Sequence, residues 1–137
     1  MSLEIHERER EGIVILDLKG RLIVGEPVSS LREKIRELSD AGNVNIILNL
    51  EHVDYIDSTG LGGLVICYTT MKKANGALKI LNLSKRNVEL LVLTKLTTVF
   101  DVFVDEQDAI NSFFPNRQIR KFDILSFVQD QSQQQDS

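Results

Sequence analysis

Apolar residues along this chain recur in two periods, and the changes of period mark out its elements. Ile13-Val14-Ile15-Leu16-Asp17-Leu18-Lys19 is a dense apolar run that predicts a strand closed by Gly20. Before it, Leu3 to Arg8 alternates with charged residues as a short edge strand does, and Glu11-Gly12 supplies a hairpin turn. Pro27 then opens a helix, because its fixed φ suits the first turn and its missing N–H would be unpaired there anyway. Val28, Leu31, Ile35 and Leu38 form the buried stripe, Ser30 and Glu33 have capping-box spacing, and Gly42 is the stop.

The second half repeats the alternation. Asn45 to Leu50 predicts a buried strand, followed by Asp57-Ser58-Thr59-Gly60 and a helix to about Asn75 whose apolar face is Leu61, Leu64, Val65, Tyr68 and Met71. Gly76 stops that helix, and Leu78 to Leu81 predicts the next strand. Ser84 caps a helix with Val88, Leu91 and Val92 inward; Val99 to Val104 alternates like a strand. Asp105 and Asp108 begin a last helix carrying Ala109, Ile110, Phe113 and Phe114, stopped by Pro115. The fold class is α/β: a mixed sheet of about four to five strands packed with about four helices.

Composition narrows the function. At 137 residues the chain is one domain, and its net charge of −4 comes from basic and acidic residues mixed along its length, which argues against a nucleic-acid footprint. The single cysteine, Cys67, cannot form an internal disulfide, no apolar run approaches a membrane span, and the N-terminus lacks a signal-peptide pattern. The expectation is a cytoplasmic protein with no membrane partner. Residues 1–115 carry the domain. In the extension 116–137, Ile119 to Val128 has apolar content for one short element, whereas Gln129 to Ser137 has the composition of a disordered tail.

Candidate chemistry centres on Asp57-Ser58-Thr59-Gly60. Three side-chain oxygens stand where a helix start leaves backbone N–H groups needing acceptors. The local pattern permits an ordinary cap or an open site that can be modified and bound. Thr59 is expected to cap and position the loop, Asp57 to cap or to orient the serine, and Asp54 to be a solvated loop residue. Gly60, Gly62 and Gly63 each cost a helix about 0.5–1 kcal/mol relative to alanine. Close approach by a partner or close packing within the domain would explain them; Gly63, two residues on from Leu61, is expected to face solvent.

Other chemistries find little support. His6 and His52 have no metal-ligand spacing and are expected at the surface; Ser58 lacks a G-x-S-x-G elbow and a placed histidine. No G-x-G-x-x-G or P-loop lysine is present, and Lys19-Gly20-Arg21 lacks the acidic pair of a receiver domain. Cys67 reads as packing, and Lys72-Lys73 as a solvated helix end.

Asn49-Leu50 through Tyr55-Ile56-Asp57-Ser58-Thr59-Gly60-Leu61-Gly62, with Lys72-Lys73, Gly76 and Leu78-Lys79-Ile80 beyond, resembles the STAS domain of bacterial anti-sigma factor antagonists over roughly residues 3–115. The resemblance implies a non-enzymatic binding protein that needs no cofactor or metal. It implies phosphorylation of Ser58 and a partner surface at Asp57, Ser58, Thr59, Gly60, Gly62 and Gly63. The implied partners are an anti-sigma factor with serine kinase activity, which supplies ATP and Mg²⁺, and a phosphoserine phosphatase, with the chain a monomer when free. The alternatives are a structural STAS subunit of a larger assembly (a stressosome-like scaffold or a lipid-transport complex) and an enzyme using Ser58. Arg21 stands where the family usually has Glu or Asp, and Leu22-Ile23-Val24-Gly25 is more apolar than usual. Lys95 stands where the family tends to have glycine, and the extension has no counterpart in the minimal family.

Overall fold

Both residues of the first turn, Glu11 (φ 52°) and Gly12 (φ 81°), take the left-handed backbone that a two-residue hairpin requires. That turn fixes β1 (Glu4–Arg10) antiparallel to β2 (Ile13–Leu22), with Arg10 opposite Ile13. The computed structural model describes residues 3–117. The chain continues through α1 (Glu26–Asp40), β3 (Asn45–Ile56), α2 (Ser58–Lys73), β4 (Ala77–Leu81), α3 (Lys85–Leu93), β5 (Val102–Phe103) and α4 (Glu106–Asn111). The strands lie in the order β1-β2-β3-β4-β5, and every pair after the first is parallel. This is the mixed α/β architecture that the alternation predicts.

Side chains alternate across a sheet, so each strand feeds two cores. Val14, Leu16, Ile46, Leu48, Leu78 and Ile80 join residues of α1, α2 and α3 in the larger one. Ile13, Ile15, Ile47, Leu81 and Phe103 form a smaller core beneath Ala109 and Ile110 of α4. Cover on both faces explains why the central strands read as unbroken apolar runs. The α1 stripe of Val28, Leu31, Ile35 and Leu38 is buried as its spacing predicts.

Several expected boundaries move. Gly20 does not close β2: register shifts between Asp17 and Lys19 and between Gly20 and Arg21 bend the strand, which runs on to Leu22. The Ser30–Glu33 capping box does not form, because α1 begins at Glu26, caps on Gly25 without a side-chain hydrogen bond, and holds both residues inside it. β3 runs past Leu50 to Ile56, so Asp54 lies on a strand and is exposed. Val99 to Val104 yields only the two residues of β5, and α4 ends at Asn111, before Pro115. Gly76 is required for space rather than for conformation: a Cβ there would lie 2.6 Å from the Val44 carbonyl carbon, while Asn75 (φ 63°) makes the left-handed exit from α2. The expected element at 119–128 and the expected tail at 129–137 lie outside the described residues.

Lys95 makes the same left-handed exit after α3, at φ 62°, a conformation that costs a residue with a side chain about 1–2 kcal/mol. Glycine's greater freedom in the unfolded chain offsets part of that cost. Lys95→Gly is therefore expected to raise stability by about 0.5–1 kcal/mol. A urea midpoint that stays put or falls would show that the position carries no strain.

An ion-pair cluster ties α4 to the hairpin. Arg8 donates to Asp17 through Nε (2.7 Å) and Nη2 (3.1 Å), and to Glu106 through Nη1 (3.1 Å), while Arg10 also pairs with Glu106. Asn49 Nδ2 donates to Asp17 Oδ1 at 2.8 Å. The hydrogen bond from Arg8 holds the Glu106 carboxyl below its usual range against the opposing effect of burial, with Arg10 adding to it. Burial pushes Asp17 up, but the bonds from Arg8 and Asn49 outweigh it and leave its pKa lowered. Carboxylates lowered in the folded state stabilise it above their unfolded pKa values of about 4, and that contribution is lost as pH falls through the folded values. Glu106→Gln should thus lower the denaturation midpoint at neutral pH and flatten its decline below roughly pH 4. Parallel acid limbs for the two proteins would refute the role of Glu106.

Candidate functional site

Asp57 joins the end of β3 to the start of α2 and organises the site. Its Oδ1 accepts from the Gly60 N–H at 2.7 Å, the N-cap bond, and its Oδ2 accepts from the Val24 N–H at 3.0 Å. Its own N–H donates to the Leu22 carbonyl at 3.3 Å. One residue thereby holds the β2–α1 loop against the helix start. The sequence pattern shows the cap; the link to Val24 depends on the parallel pairing of β2 with β3, which places Leu22 beside Ile56.

Ser58 and Thr59 are the first two residues of α2 and both are exposed. Among the described residues neither hydroxyl makes a hydrogen bond to protein. Thr59 is thus not the cap that the sequence suggests, since Asp57 fills that place. Ser58 is left as a free hydroxyl at the positive end of a helix, next in sequence to the Asp57 that holds Val24, which is 64% exposed.

The three glycines separate. A Cβ at Gly60 would overlap the Leu22 carbonyl oxygen and lie 2.8 Å from its carbon, so this glycine lets α2 close on β2. Gly63 is buried, contrary to the expectation that it faces solvent, and a Cβ there would lie 3.0 Å from Val28 Cγ1. Rotation counted from Leu61 failed because α1 packs on that side of α2 and widens the buried face. Gly62 is exposed with nothing within 4 Å of a Cβ, so of the three it alone presents bare backbone to an incoming molecule.

Leu61, Leu64, Cys67 and Met71 are buried, while Val65 and Tyr68 are partly buried at the margin. Tyr68 meets Phe100 edge-on, with centroids 5.6 Å apart. Burial pushes the Cys67 thiol up to about 12, which leaves it protonated and a packing residue. His6 and His52 are exposed, and no group of metal-ligating side chains occurs among the described residues. Next to the site, the Arg86 guanidinium lies 4.6 Å from the Tyr55 ring centroid, a contact between β3 and α3 that strand patterning does not reveal.

Among the described residues, the site is a capped helix start on a five-stranded sheet that presents two exposed, unbonded hydroxyls, those of Ser58 and Thr59. The family model for the STAS domain matches residues 4–109, and the chain belongs to that family. It is 31% identical over 111 residues to an anti-sigma-B factor antagonist of Bacillus subtilis, covering 80% of this chain and 99% of the relative. An anti-sigma-B factor antagonist of Staphylococcus aureus is 31% identical over 102 residues, covering 74% and 94%. The fold matches the crystal structure of a putative anti-sigma factor antagonist from Thermotoga maritima with a TM-score of 0.74 at 21% identity, covering 80% of this chain and 93% of that one. It also matches the Bacillus protein SpoIIAA in its phosphorylated form, with a TM-score of 0.63 at 22% identity, covering 80% and 98%.

Proposed function

We propose that this chain is an anti-sigma factor antagonist: unmodified, it binds an anti-sigma factor with serine kinase activity and so frees a sigma factor, and phosphorylation of Ser58 ends the binding. The reading assigns it no catalysis of its own; ATP and Mg²⁺ belong to the kinase, and a phosphatase restores the serine. The observation that carries this is Ser58 itself, exposed and unbonded while Asp57 does the capping. A serine already used as a cap would have to break that bond to react. This one does not.

The names of the curated relatives support the antagonist role, and the phosphorylation reading is supported by a protein of similar fold, SpoIIAA, that is described in a phosphorylated form. The test is incubation with the cognate kinase and ATP, followed by peptide mapping. One phosphate on Ser58, and none on the Ser58→Ala protein, is the expected result. Phosphate on Thr59 instead would overturn the assignment.

A further inference from the structure

Ser58, Gly62 and Ile66 stand at i, i+4 and i+8 on the outer side of α2, a strip about 12 Å long. Ser58 and Gly62 are exposed, and Ile66 is 43% exposed, an apolar side chain the fold leaves in water. Beside Ile66 a groove of about 300 Å³ separates α2 from α1, walled on the α1 side by Arg32 and Arg36. Both arginines are exposed, and neither forms an ion pair among the described residues. Like charges at i and i+4 disfavour a helix rather than support it. The contrast within α1 is clear: Lys34, on the side toward β1, is paired with Glu7 at 2.5 Å. Glu33 lines the same groove but also the adjoining cleft with Lys34, so two guanidiniums face one shared carboxylate.

An unpaired cationic pair and an exposed isoleucine, continuous with the modifiable serine, specify a complementary surface. We infer that the α1–α2 groove receives an acidic segment of the anti-sigma partner, whose carboxylates pair with Arg32 and Arg36 and whose apolar side chain seats on Ile66. The inference rests on the reading of Ser58 above and adds the chemistry of the partner. Gly62 lets the partner backbone cross from the groove to the serine. A phosphate on Ser58 then adds negative charge at one end of the strip that holds the acidic segment.

The test measures the affinity of the intact chain for the kinase that phosphorylates Ser58, at roughly 0.05 and 0.3 M salt. Arg32→Glu with Arg36→Glu should weaken binding at least about thirtyfold at low salt and flatten its salt dependence. Ile66→Ser should weaken it about tenfold. Lys19→Glu with Lys95→Glu, an equal change of net charge at exposed positions on β2 and after α3 that do not line the groove, should change it less than about threefold. Affinity unmoved by the arginine reversal, or moved equally by the lysine control, overturns the groove assignment and leaves the Ser58 reading standing. A wild-type chain that binds no Ser58 kinase defeats that reading and this one together. Self-association of the wild type abolished by the arginine reversal would assign the groove to a second copy and overturn the inference.

Discussion

Gly60→Ala is expected to destabilise the domain by about 3 kcal/mol or more, the upper range for overpacking. The added methyl would overlap the Leu22 carbonyl oxygen and lie 3.2 Å from Ile56 Cγ2. The neighbour is backbone, and that carbonyl already accepts from the Asp57 N–H, so it cannot swing aside without opening the β2–α2 junction. Alanine's better helix propensity returns less than about 1 kcal/mol. Gly62→Ala, with open space around it, should instead gain part of that propensity. Gly63→Leu should destabilise, because its side chain must displace Val28. Chemical denaturation of the three variants decides: equal midpoints for Gly60→Ala and Gly62→Ala would contradict the packing argument.

Stoichiometric phosphorylation of Ser58 should lower affinity for the anti-sigma partner at least about a hundredfold, or about 2.7 kcal/mol, while moving the free protein's Tm by only a few degrees. The asymmetry follows from position. In the free protein the dianion sits in water at a helix N-terminus, which favours it by about 0.3–1 kcal/mol. Both Asp57 oxygens are occupied by N–H groups, which tempers repulsion from the neighbouring carboxylate. In a complex the phosphate must be desolvated against the partner surface. Ser58→Asp, with less charge and volume, should cost about tenfold, and Ser58→Ala should bind like wild type. Titration calorimetry of the modified and unmodified chains checks this, and equal affinities would end the switch model.

Much of this was legible in the sequence. The hairpin at Glu11-Gly12, the α1 stripe, the cap at Ser84 and the start of α4 at Asp105 are local events, set by turn chemistry, helical period and side chains reaching a few residues ahead. What failed depended on neighbours distant in the chain. The space at Gly60 is bounded by Leu22 and that at Gly76 by Val44; no periodicity reports either contact. Helical rotation points Gly63 to solvent because a helix alone cannot show that α1 lies on its flank. At the site, the motif located Ser58, whereas the division of labour with Asp57 and the tie to Val24 needed two strands in register.

The small core under α4 also bears on how the chain is made. Its oldest members, Ile13 and Ile15, are covered by Ala109 and Ile110, and the Arg8–Glu106 pair closes across 98 positions. At synthesis rates of about 5–20 residues per second, the hairpin leaves the ribosome on the order of 5–20 s before its cover does. Throughout that interval one side of the first strands is bare isoleucine, and the charged alternation of β1 is the protection that edge carries against pairing with another nascent chain. α4 therefore closes late, over an apolar surface that stays uncovered until the helix itself is made.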